Sequence, residues 1–162
     1  MKINIRKGIK EDLPEVLLLI KQLAEYENAL QEVKITLEDL KVDGFGERPW
    51  YWFLVAEINN KIIGLSFYWI RYSTWKGKFL YLEDFVIKEE FRGLGVGSKL
   101  FEATVNICYS QNLNGMNWQI LDWNTPAISF YKKYNADISK KWLNGKLSKE
   151  QISKIYKNKI TI

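Results

Sequence analysis

The stretch YLEDFVIKEEFRGLGVGS, residues 81–98, decides how this chain folds and what it can bind. Its first half is an apolar run typical of a β-strand, its centre is a glycine-rich turn, and the turn leads directly into an amphipathic helix. This order directs free backbone N–H groups and the positive end of a helix at one place, which favours a phosphate group. Glu83 and Asp84 lie on the strand before the turn. The pattern predicts a nucleotide-bearing cofactor whose reactive end lies near a proton acceptor.

The composition limits the classes of protein to which the chain can belong. Its 162 residues, 47% of them apolar, suffice for one domain with a hydrophobic core. No apolar run reaches the roughly 18 residues of a membrane span, and the first residues lack the apolar segment of a signal peptide. The single cysteine, Cys108, favours a cytoplasmic location. We therefore expect a cytoplasmic protein with no membrane partner, folded as a single domain over residues 1–162.

Charge and residue usage restrict the chemistry further. The net charge of +5 suits an anionic partner such as phosphate, coenzyme A or nucleic acid, and equally a solvated lysine-rich surface. The sequence lacks the paired cysteine motifs and Arg-rich helices of nucleic-acid-binding proteins, so we expect no nucleic-acid partner. It has no histidine and one cysteine, so no metal site is expected. Proton transfer must then use Asp, Glu, Tyr, Lys, Cys or water.

Turn signals and hydrophobic periodicity give the order of the elements around the central stretch. Strand patterns are found at residues 2–6, 51–58, 61–72, 78–87, 116–123 and 141–147. Helical patterns begin after the candidate N-caps Asp12, Thr36 and Ser148 and cover residues 97–111 and 125–134. The order β-α-α-β-β-β-α-β-α-β-α predicts an α+β domain with a central mixed sheet flanked by helices.

Several motifs resemble those of a known family. Residues 92–97, RGLGVG, resemble the Arg/Gln-x-x-Gly-x-Gly/Ala signature of the GNAT superfamily of N-acetyltransferases. Residues 23–27 (LAEYE), 43–46 (DGFG), 81–84 (YLED) and 123–124 (WN) resemble the spermidine/spermine (diamine) N-acetyltransferases within it. Residues 72–77 (YSTWKG) and 121–124 (LDWN) are most similar to the branch that acetylates thialysine. The resemblance implies a GNAT fold, acetyl-CoA as co-substrate, and usually a homodimer.

The resemblance also implies which residues bind the cofactor. Backbone N–H groups of the turn would hold the pyrophosphate, and the strand that precedes it would pair with the pantetheine arm. Arg92 would add positive charge near the cofactor, or would pair with Glu89 or Glu90 as an ordinary turn residue. The cofactor-binding residues implied are Phe85, Val86, Ile87, Arg92, Gly93, Leu94, Gly95, Val96, Gly97, Ser98, Asn124, Thr125, Pro126, Ala127 and Tyr131.

Two residues match the family's catalytic positions. Glu83 would help to deprotonate the substrate ammonium, unless it is a strand-edge carboxylate paired with a lysine. Tyr131 would protonate the departing thiolate, unless it is an ordinary core tyrosine. Asp84 should face the opposite side of its strand, where it would be structural or would orient the substrate. Because Cys108 falls within an apolar helical stripe, we expect an inert thiol and direct transfer in a ternary complex.

The substrate is expected to be a small primary amine. Tyr26 and Glu27 match the family's substrate positions, and Trp75 could flank the cation through its ring face. Glu83 and Asp84 complete the expected substrate-binding set. Glu27 also fits a solvated helix end, and Trp75 a hairpin or dimer packing residue. The polyamine enzymes carry acidic residues where this chain has Ser73 and, near its C-terminus, residues 140–142 (KKW). This change of charge favours a thialysine-like amino acid over spermine, while diamines remain candidates. Two alternatives stay open: a protein or peptide N-acetyltransferase, and a non-catalytic CoA-binding regulatory module.

Overall fold

The computed structural model describes residues 2–159, which divide into two compact units between Gln119 and Ile120. The strands are β1 (Asn4–Lys7), β2 (Trp52–Ile58), β3 (Lys61–Ser73), β4 (Gly77–Ile87) and β5 (Met116–Trp118). The helices are α1 (Leu13–Tyr26), α2 (Leu37–Phe45), α3 (Val96–Ser110), α4 (Thr125–Lys132) and α5 (Lys149–Lys159). The predicted α+β class and mixed sheet are confirmed.

The five strands form one sheet in chain order within the first unit. β1 to β4 pair antiparallel, and β5 pairs parallel to β4 because α3 provides the crossover between them. The parallel ladder is short and joins Leu80–Leu82 to Met116–Trp118. β4 therefore continues for five residues beyond the end of its pairing with β5.

The core of the first unit lies on both faces of this sheet. On one face α1 and α2 pack against apolar residues that include Val55 and Leu65, which are opposite each other on β2 and β3. On the other face the Thr104 hydroxyl of α3 lies 2.7 Å from the Ser66 hydroxyl of β3, and both residues are fully buried. This buried polar pair joins α3, and with it the turn that precedes α3, to the centre of the sheet.

Two expected helix starts behave differently. Thr36 caps α2 as predicted, since its hydroxyl oxygen accepts a hydrogen bond from the Asp39 N–H at 3.1 Å. Asp12 precedes α1 but its side chain does not cap it. The Asp12 carboxylate instead accepts two hydrogen bonds from Arg6, at 2.6 and 2.8 Å, because Arg6 reaches it from β1.

The strand predicted at residues 141–147 is wrong. Residues 136–148 have no regular secondary structure, and Trp142 and Leu143 are 83% and 96% exposed. A strand forms only when its backbone pairs with a neighbour, and Asn144 and Gly145 weaken the strand propensity of this segment. The strand expected over residues 116–123 ends at Trp118. A turn follows, in which the Asn124 N–H donates a hydrogen bond to the Leu121 carbonyl.

Within residues 2–159, every helix is too short or too polar to cross a lipid bilayer.

Candidate functional site

A glycine turn connects β4 to α3. After a single 3-10 turn at Glu89–Phe91, Gly93 and Gly95 adopt φ angles of 74° and 81°, in the left-handed region that residues with a Cβ rarely enter. A Cβ built at either position meets no protein atom within 4 Å. Glycine is therefore required here by the backbone conformation, and the surface above the turn has room for a ligand.

The first turn of α3 presents its backbone donors at this surface. Gly95 is the N-cap of the 15-residue helix, and the first intrahelical bond is that from the Lys99 N–H to the Gly95 carbonyl, at 3.2 Å. The N–H groups of Val96, Gly97 and Ser98 precede that bond and have no acceptor within the helix. Together with the positive end of the helix dipole they form a cradle that fits a diphosphate.

A β-bulge lies on β4 at the first of the two acidic residues. Tyr68 of β3 pairs with Leu82 and Phe67 pairs with Asp84, so Glu83 is the extra residue on β4. A bulge interrupts the alternation of side chains along a strand. The expectation that Glu83 and Asp84 point to opposite faces relied on that alternation and no longer follows.

Glu83 is exposed, and an aromatic pair fixes its orientation. The Trp69 indole N–H donates to the Glu83 carboxylate at 2.9 Å, and the Trp69 ring packs on Tyr81 with ring centroids 5.1 Å apart. The sequence motifs do not predict this role of Trp69 as a hydrogen-bond donor to Glu83. The register of β3 and β4, which places Trp69 opposite Tyr81, is the signal that could have found it.

Three carboxylates form an acidic cluster at this point: Glu27, Glu83 and Asp84, hereafter the carboxylate cluster. Burial raises the pKa of Asp84 to about 7, and the negative charges of Glu83 and Glu27 add to the effect. Burial also raises the pKa of Glu27, which follows the last residue of α1. Strand β4 and helix α1 thus bring together acidic groups that are 56 residues apart in sequence.

Arg92 connects the glycine turn to the end of α1. Its Nε donates to the Ile87 carbonyl at 3.0 Å, and its guanidinium lies 5.4 Å from the centroid of the Tyr26 ring. The aromatic partner in this cation–π contact, Tyr26, is the residue immediately before Glu27. The sequence suggested either a charge near the cofactor or an ion pair with Glu89 or Glu90 for Arg92. Arg92 contacts Ile87 and Tyr26 instead of forming that ion pair.

The strand that should bind the cofactor arm is partly core. Val86 and Ile87 are buried, and Phe85 meets the Phe101 ring edge-on with centroids 5.9 Å apart. Val86 belongs to the core beneath α1 and α2, whereas Phe85 packs against α3, so these side chains stabilise helix packing on both faces of the sheet. Any contact with an extended ligand arm must come from the β4 backbone.

Trp75 is at the tip of the β3–β4 hairpin and 83% exposed. The Ser73 hydroxyl accepts hydrogen bonds from the N–H groups of Trp75 and Lys76, at 3.3 and 3.2 Å, which closes the turn. The pair Ser73–Gly77 lies four strand residues, about 13 Å, beyond the pair Trp69–Tyr81. In this chain the structure does not bring Trp75 to the carboxylate cluster.

The remaining predicted residues lie on α4, in the second unit. Asn124 caps this helix, and its Oδ1 accepts a hydrogen bond from the Ala127 N–H at 3.2 Å. Thr125 and Pro126 form the first turn, where proline is tolerated. Tyr131 is buried, and burial raises the pKa of its phenol above the ordinary value.

Cys108 is buried in α3 of the first unit. Its thiol donates to the Gly115 carbonyl at 3.4 Å, and burial raises its pKa. A thiol that holds its proton is a poor nucleophile. Its environment therefore agrees with the inert thiol expected from the sequence.

A cavity of about 380 Å³ opens elsewhere in the first unit, between the first three strands and the C-terminal ends of α2 and α3. Phe45, Tyr51 and Trp52 are among its lining residues, and none of the predicted site residues lines it. The cavity therefore has no part in the arrangement described above.

Comparison with known proteins gives the family. A model of the acetyltransferase (GNAT) family matches residues 19–136. Thialysine N-epsilon-acetyltransferase of Bos taurus is 39% identical over 142 residues, which are 83% of this chain and 84% of that protein. Spermidine/spermine N(1)-acetyltransferase-like protein 1 of Homo sapiens is 36% identical over 140 residues, 82% of this chain and 20% of that protein.

Solved structures show the same fold at lower identity. An integron cassette protein from V. cholerae superposes with a TM-score of 0.77 at 21% identity, covering 97% of this chain and 99% of the other. An aminoglycoside acetyltransferase from a soil metagenome has a TM-score of 0.75 at 18% identity, covering 90% and 95%. The prediction from the sequence is confirmed: the chain belongs to the acetyltransferase (GNAT) family and is an N-acetyltransferase.

Proposed function

We propose that the chain moves the acetyl group of acetyl-CoA directly to a primary amine of a small substrate, either a diamine or polyamine or a thialysine-like amino acid. The observation that carries this proposal is the carboxylate cluster, two of whose residues, Glu83 and Asp84, lie on the strand that leads into the phosphate cradle. The cradle suits a nucleotide-bearing acyl donor. The acidic cluster suits a cationic acceptor.

The cradle residues Gly93 to Ser98 would hold the diphosphate of acetyl-CoA. Their donors belong to the backbone, and the open surface above Gly93 and Gly95 supports this fit. The backbone of Phe85, Val86 and Ile87 would meet the extended arm, and Asn124 to Ala127 would add contacts near the start of α4. The bound donor would supply the acetyl group and a thiol leaving group.

The carboxylates would make the amine reactive. An alkyl ammonium has a pKa of about 10.4, so at pH 7 the neutral amine is less stable than the ammonium by about 4–5 kcal/mol. A nearby carboxylate lowers this barrier by accepting the proton, directly or through water. Glu83 has the family's position for this role, and Glu27 and Asp84 add negative charge that attracts the ammonium.

Tyr131 would return a proton to the thiolate. A phenol holds its proton throughout the neutral range, as a proton donor requires, and burial raises the pKa of Tyr131 further. With Cys108 buried and protonated, transfer through an acyl-cysteine has no support, and direct transfer in a ternary complex is the simpler route.

The charges on the chain favour a short amine. Ser73 uses its hydroxyl to close the hairpin, where the polyamine enzymes carry an acidic residue. Residues 140 and 141 are lysines. The relatives named thialysine N-epsilon-acetyltransferase, at 39% and 38% identity, support the same preference. A substrate with its own carboxylate, such as thialysine, fits this balance of charge better than a tetracation.

An amine panel at fixed acetyl-CoA tests the proposal. Free thiol release would be measured with thialysine, lysine, ornithine, putrescine, spermidine, spermine and a lysine-containing peptide. We expect kcat/KM for thialysine to exceed that for spermine. A strong preference for spermine would contradict the substrate assignment, and turnover of the peptide alone would favour a protein acetyltransferase. Coenzyme A binding without transfer to any amine would favour a regulatory module.

We also propose a homodimer located in the cytoplasm. The exposed side chains of Trp50 and Trp52, 75% and 44% accessible, support an aromatic contact surface between protomers. Sedimentation velocity should give about twice the mass of one chain. A single monomeric species at micromolar concentration would contradict the dimer.

A further inference from the structure

We propose that the cavity between the first three strands and the C-terminal ends of α2 and α3 binds a small aromatic carboxylate. This site is separate from the phosphate cradle and from the carboxylate cluster, since no residue of either lines it. Its volume of about 380 Å³ lies within the range of about 300–1,000 Å³ that is usual for ligand pockets. The inference does not depend on which amine the enzyme acetylates.

Aromatic rings form much of the cavity wall. Trp52 and Tyr68 are opposite each other on β2 and β3, and their rings stack with centroids 6.5 Å apart. Phe45 and Phe53 also line the cavity and meet edge-on, with centroids 6.2 Å apart. Such rings present flat apolar surfaces and favour stacked or edge-to-face contacts with another ring. The wall therefore suits a planar aromatic ligand.

Two glycines let two of these lining rings pack closely against the backbone. A Cβ built at Gly8 would lie 1.9 Å from the Phe53 ring. A Cβ built at Gly44 would lie 2.4 Å from the Tyr51 ring. Phe53 and Tyr51 are buried members of the core of the first unit. This part of the wall is therefore fixed by the packing of the fold and does not have to form around a ligand.

Tyr68 supplies a hydrogen-bonding group that has no protein partner. It is only 4% exposed, and within residues 2–159 no group forms a hydrogen bond with its hydroxyl. Every polar side-chain atom that is sealed from solvent in this part of the chain has a partner, so the Tyr68 hydroxyl must reach open space. The open space that Tyr68 lines is the cavity. By contrast, the Tyr51 hydroxyl already donates to the Leu40 carbonyl. A ligand oxygen that accepts the hydrogen bond of Tyr68 would satisfy this hydroxyl.

Lys7 sets the sign of the charge at the cavity. Of the lining residues in the part of the chain that the structure describes, it is the one that carries a charge, and it is exposed at the end of β1. Its ammonium forms no ion pair within residues 2–159, whereas the adjacent Arg6 has two acidic partners. An unpaired cation beside aromatic walls attracts an anion.

Two negative influences act against Lys7, and both are weaker. The C-terminal ends of α2 and α3 each carry a partial negative charge of about half a unit. Carbonyls in the last turn of each helix already accept hydrogen bonds from N–H groups of the chain, among them those of Asp43 and Ile107. Burial raises the pKa of Tyr51 and the charge of Asp43 adds to this effect, but Asp43 does not line the cavity. The full charge of Lys7 therefore favours a carboxylate over a cation.

Titration of the isotope-labelled protein with phenylacetate, followed by NMR, tests the proposal. We expect a Kd of about 1 mM or tighter, with amide shifts concentrated at lining residues such as Gly8, Gly44 and Gln111. The neutral analogue phenylacetamide should bind about threefold more weakly, because it cannot pair with the Lys7 ammonium. Saturating coenzyme A should leave the Kd for phenylacetate within about twofold.

Two substitutions in the cavity separate the contributions of the hydroxyl and the charge. Tyr68→Phe should weaken phenylacetate binding by about tenfold. Lys7→Gln should weaken it by about threefold and remove the preference over phenylacetamide. Tyr109→Phe and Lys10→Gln are the matched controls, since both residues are exposed and neither lines the cavity. Because the Tyr68 hydroxyl has no partner in the described fold, Tyr68→Phe should also keep the Tm of the wild type.

Absence of shifts at the lining residues would overturn the inference, and so would a lower Tm for Tyr68→Phe, which would reveal a hydrogen-bond partner within the fold. Displacement by coenzyme A would instead place phenylacetate at the phosphate cradle. Tighter binding of phenethylamine at the lining residues would reverse the sign of the ligand charge. Trp52 also belongs to the proposed protomer surface, so a Kd that rises with protein concentration would assign the cavity mouth to a second copy of the chain. None of these results bears on acetyl transfer, which the amine panel tests separately.

Discussion

Replacing Gly95 tests whether the cradle depends on backbone conformation. Gly95 has a φ of 81°, and a Cβ added there meets no protein atom within 4 Å, so crowding cannot destabilise the variant. Holding alanine in the left-handed region costs about 1–2 kcal/mol. The reduced freedom of the unfolded chain offsets about 0.5 kcal/mol of this. Gly95→Ala should therefore lose about 1 kcal/mol of stability, or about 2–4 °C in Tm.

Replacing Gly95 with asparagine distinguishes the effect of backbone conformation on stability from the effect of side-chain size. Within residues 2–159 the non-glycine residues with positive φ are all asparagines, at positions 28, 59, 60, 112 and 135. Asparagine enters this region several-fold more readily than alanine, which corresponds to about 0.8 kcal/mol. Gly95→Asn should thus be more stable than Gly95→Ala although its side chain is larger.

Thermal and urea denaturation without ligand would measure these differences, and calorimetry would measure the affinity for acetyl-CoA. Both variants place atoms on the open surface, so we expect both to bind acetyl-CoA about tenfold more weakly, a loss of about 1.4 kcal/mol. Gly145→Ala is the control: no protein atom lies near the added Cβ, and stability should stay within about 0.5 kcal/mol. A Gly95→Asn variant less stable than Gly95→Ala would refute the reasoning.

Three further predictions concern the buried hydroxyl pair, the acid stability and the proton donor. Thr104→Val removes the hydrogen-bond partner of the buried Ser66 hydroxyl and should lower the free energy of unfolding, measured with urea, by about 1–3 kcal/mol. Adding Ser66→Ala should restore part of that free energy. Burial acts to raise the pKa of Asp12, but hydrogen bonds from Arg6 and a backbone N–H outweigh it and the net pKa is lowered. The stability that Asp12 contributes is therefore present above its unfolded pKa and is lost as pH falls through its folded pKa. Asp12→Asn should have a lower free energy of unfolding at pH 7, and that free energy should fall less steeply on acidification than in the wild type. An acid profile identical to that of the wild type would contradict this. Tyr131→Phe should lower kcat by about 100-fold with a nearly unchanged KM for acetyl-CoA, and wild-type kcat in this variant would exclude Tyr131 as the proton donor.

The sequence predicts the fold best where local signals agree. The order from β4 through the glycine turn to α3 follows from residues that are neighbours in the chain, and its bounds are within one residue of the expected ones. Residues 141–147 include apolar residues typical of a strand, but they also include Asn144 and Gly145, and strand formation depends on a paired edge that composition does not reveal. The same limit explains Asp12, whose partner Arg6 comes from a neighbouring strand rather than from the helix it precedes.

Sequence motifs suggest the residues of the candidate site, whereas the surroundings of those residues depend on how the strands pair. The motifs select Glu27, Glu83 and Asp84, and the negative charges of Glu27 and Glu83 act on Asp84 in the folded chain. The environment that distinguishes Glu83 from Asp84 comes from a bulge and from Trp69, and both depend on the register between β3 and β4. Register is set by the pairing of whole strands, so no short motif contains it.

The cradle also implies an uneven tolerance to mutation. Because the donors belong to the main chain, the identity of Leu94, half exposed between two restricted glycines, has little bearing on whether an anion can be held. In a saturation library we expect position 94 to accept almost any residue except proline, which lacks the N–H, while positions 93 and 95 reject nearly all. Homologous chains could therefore differ at position 94 and still bind an anion at this turn.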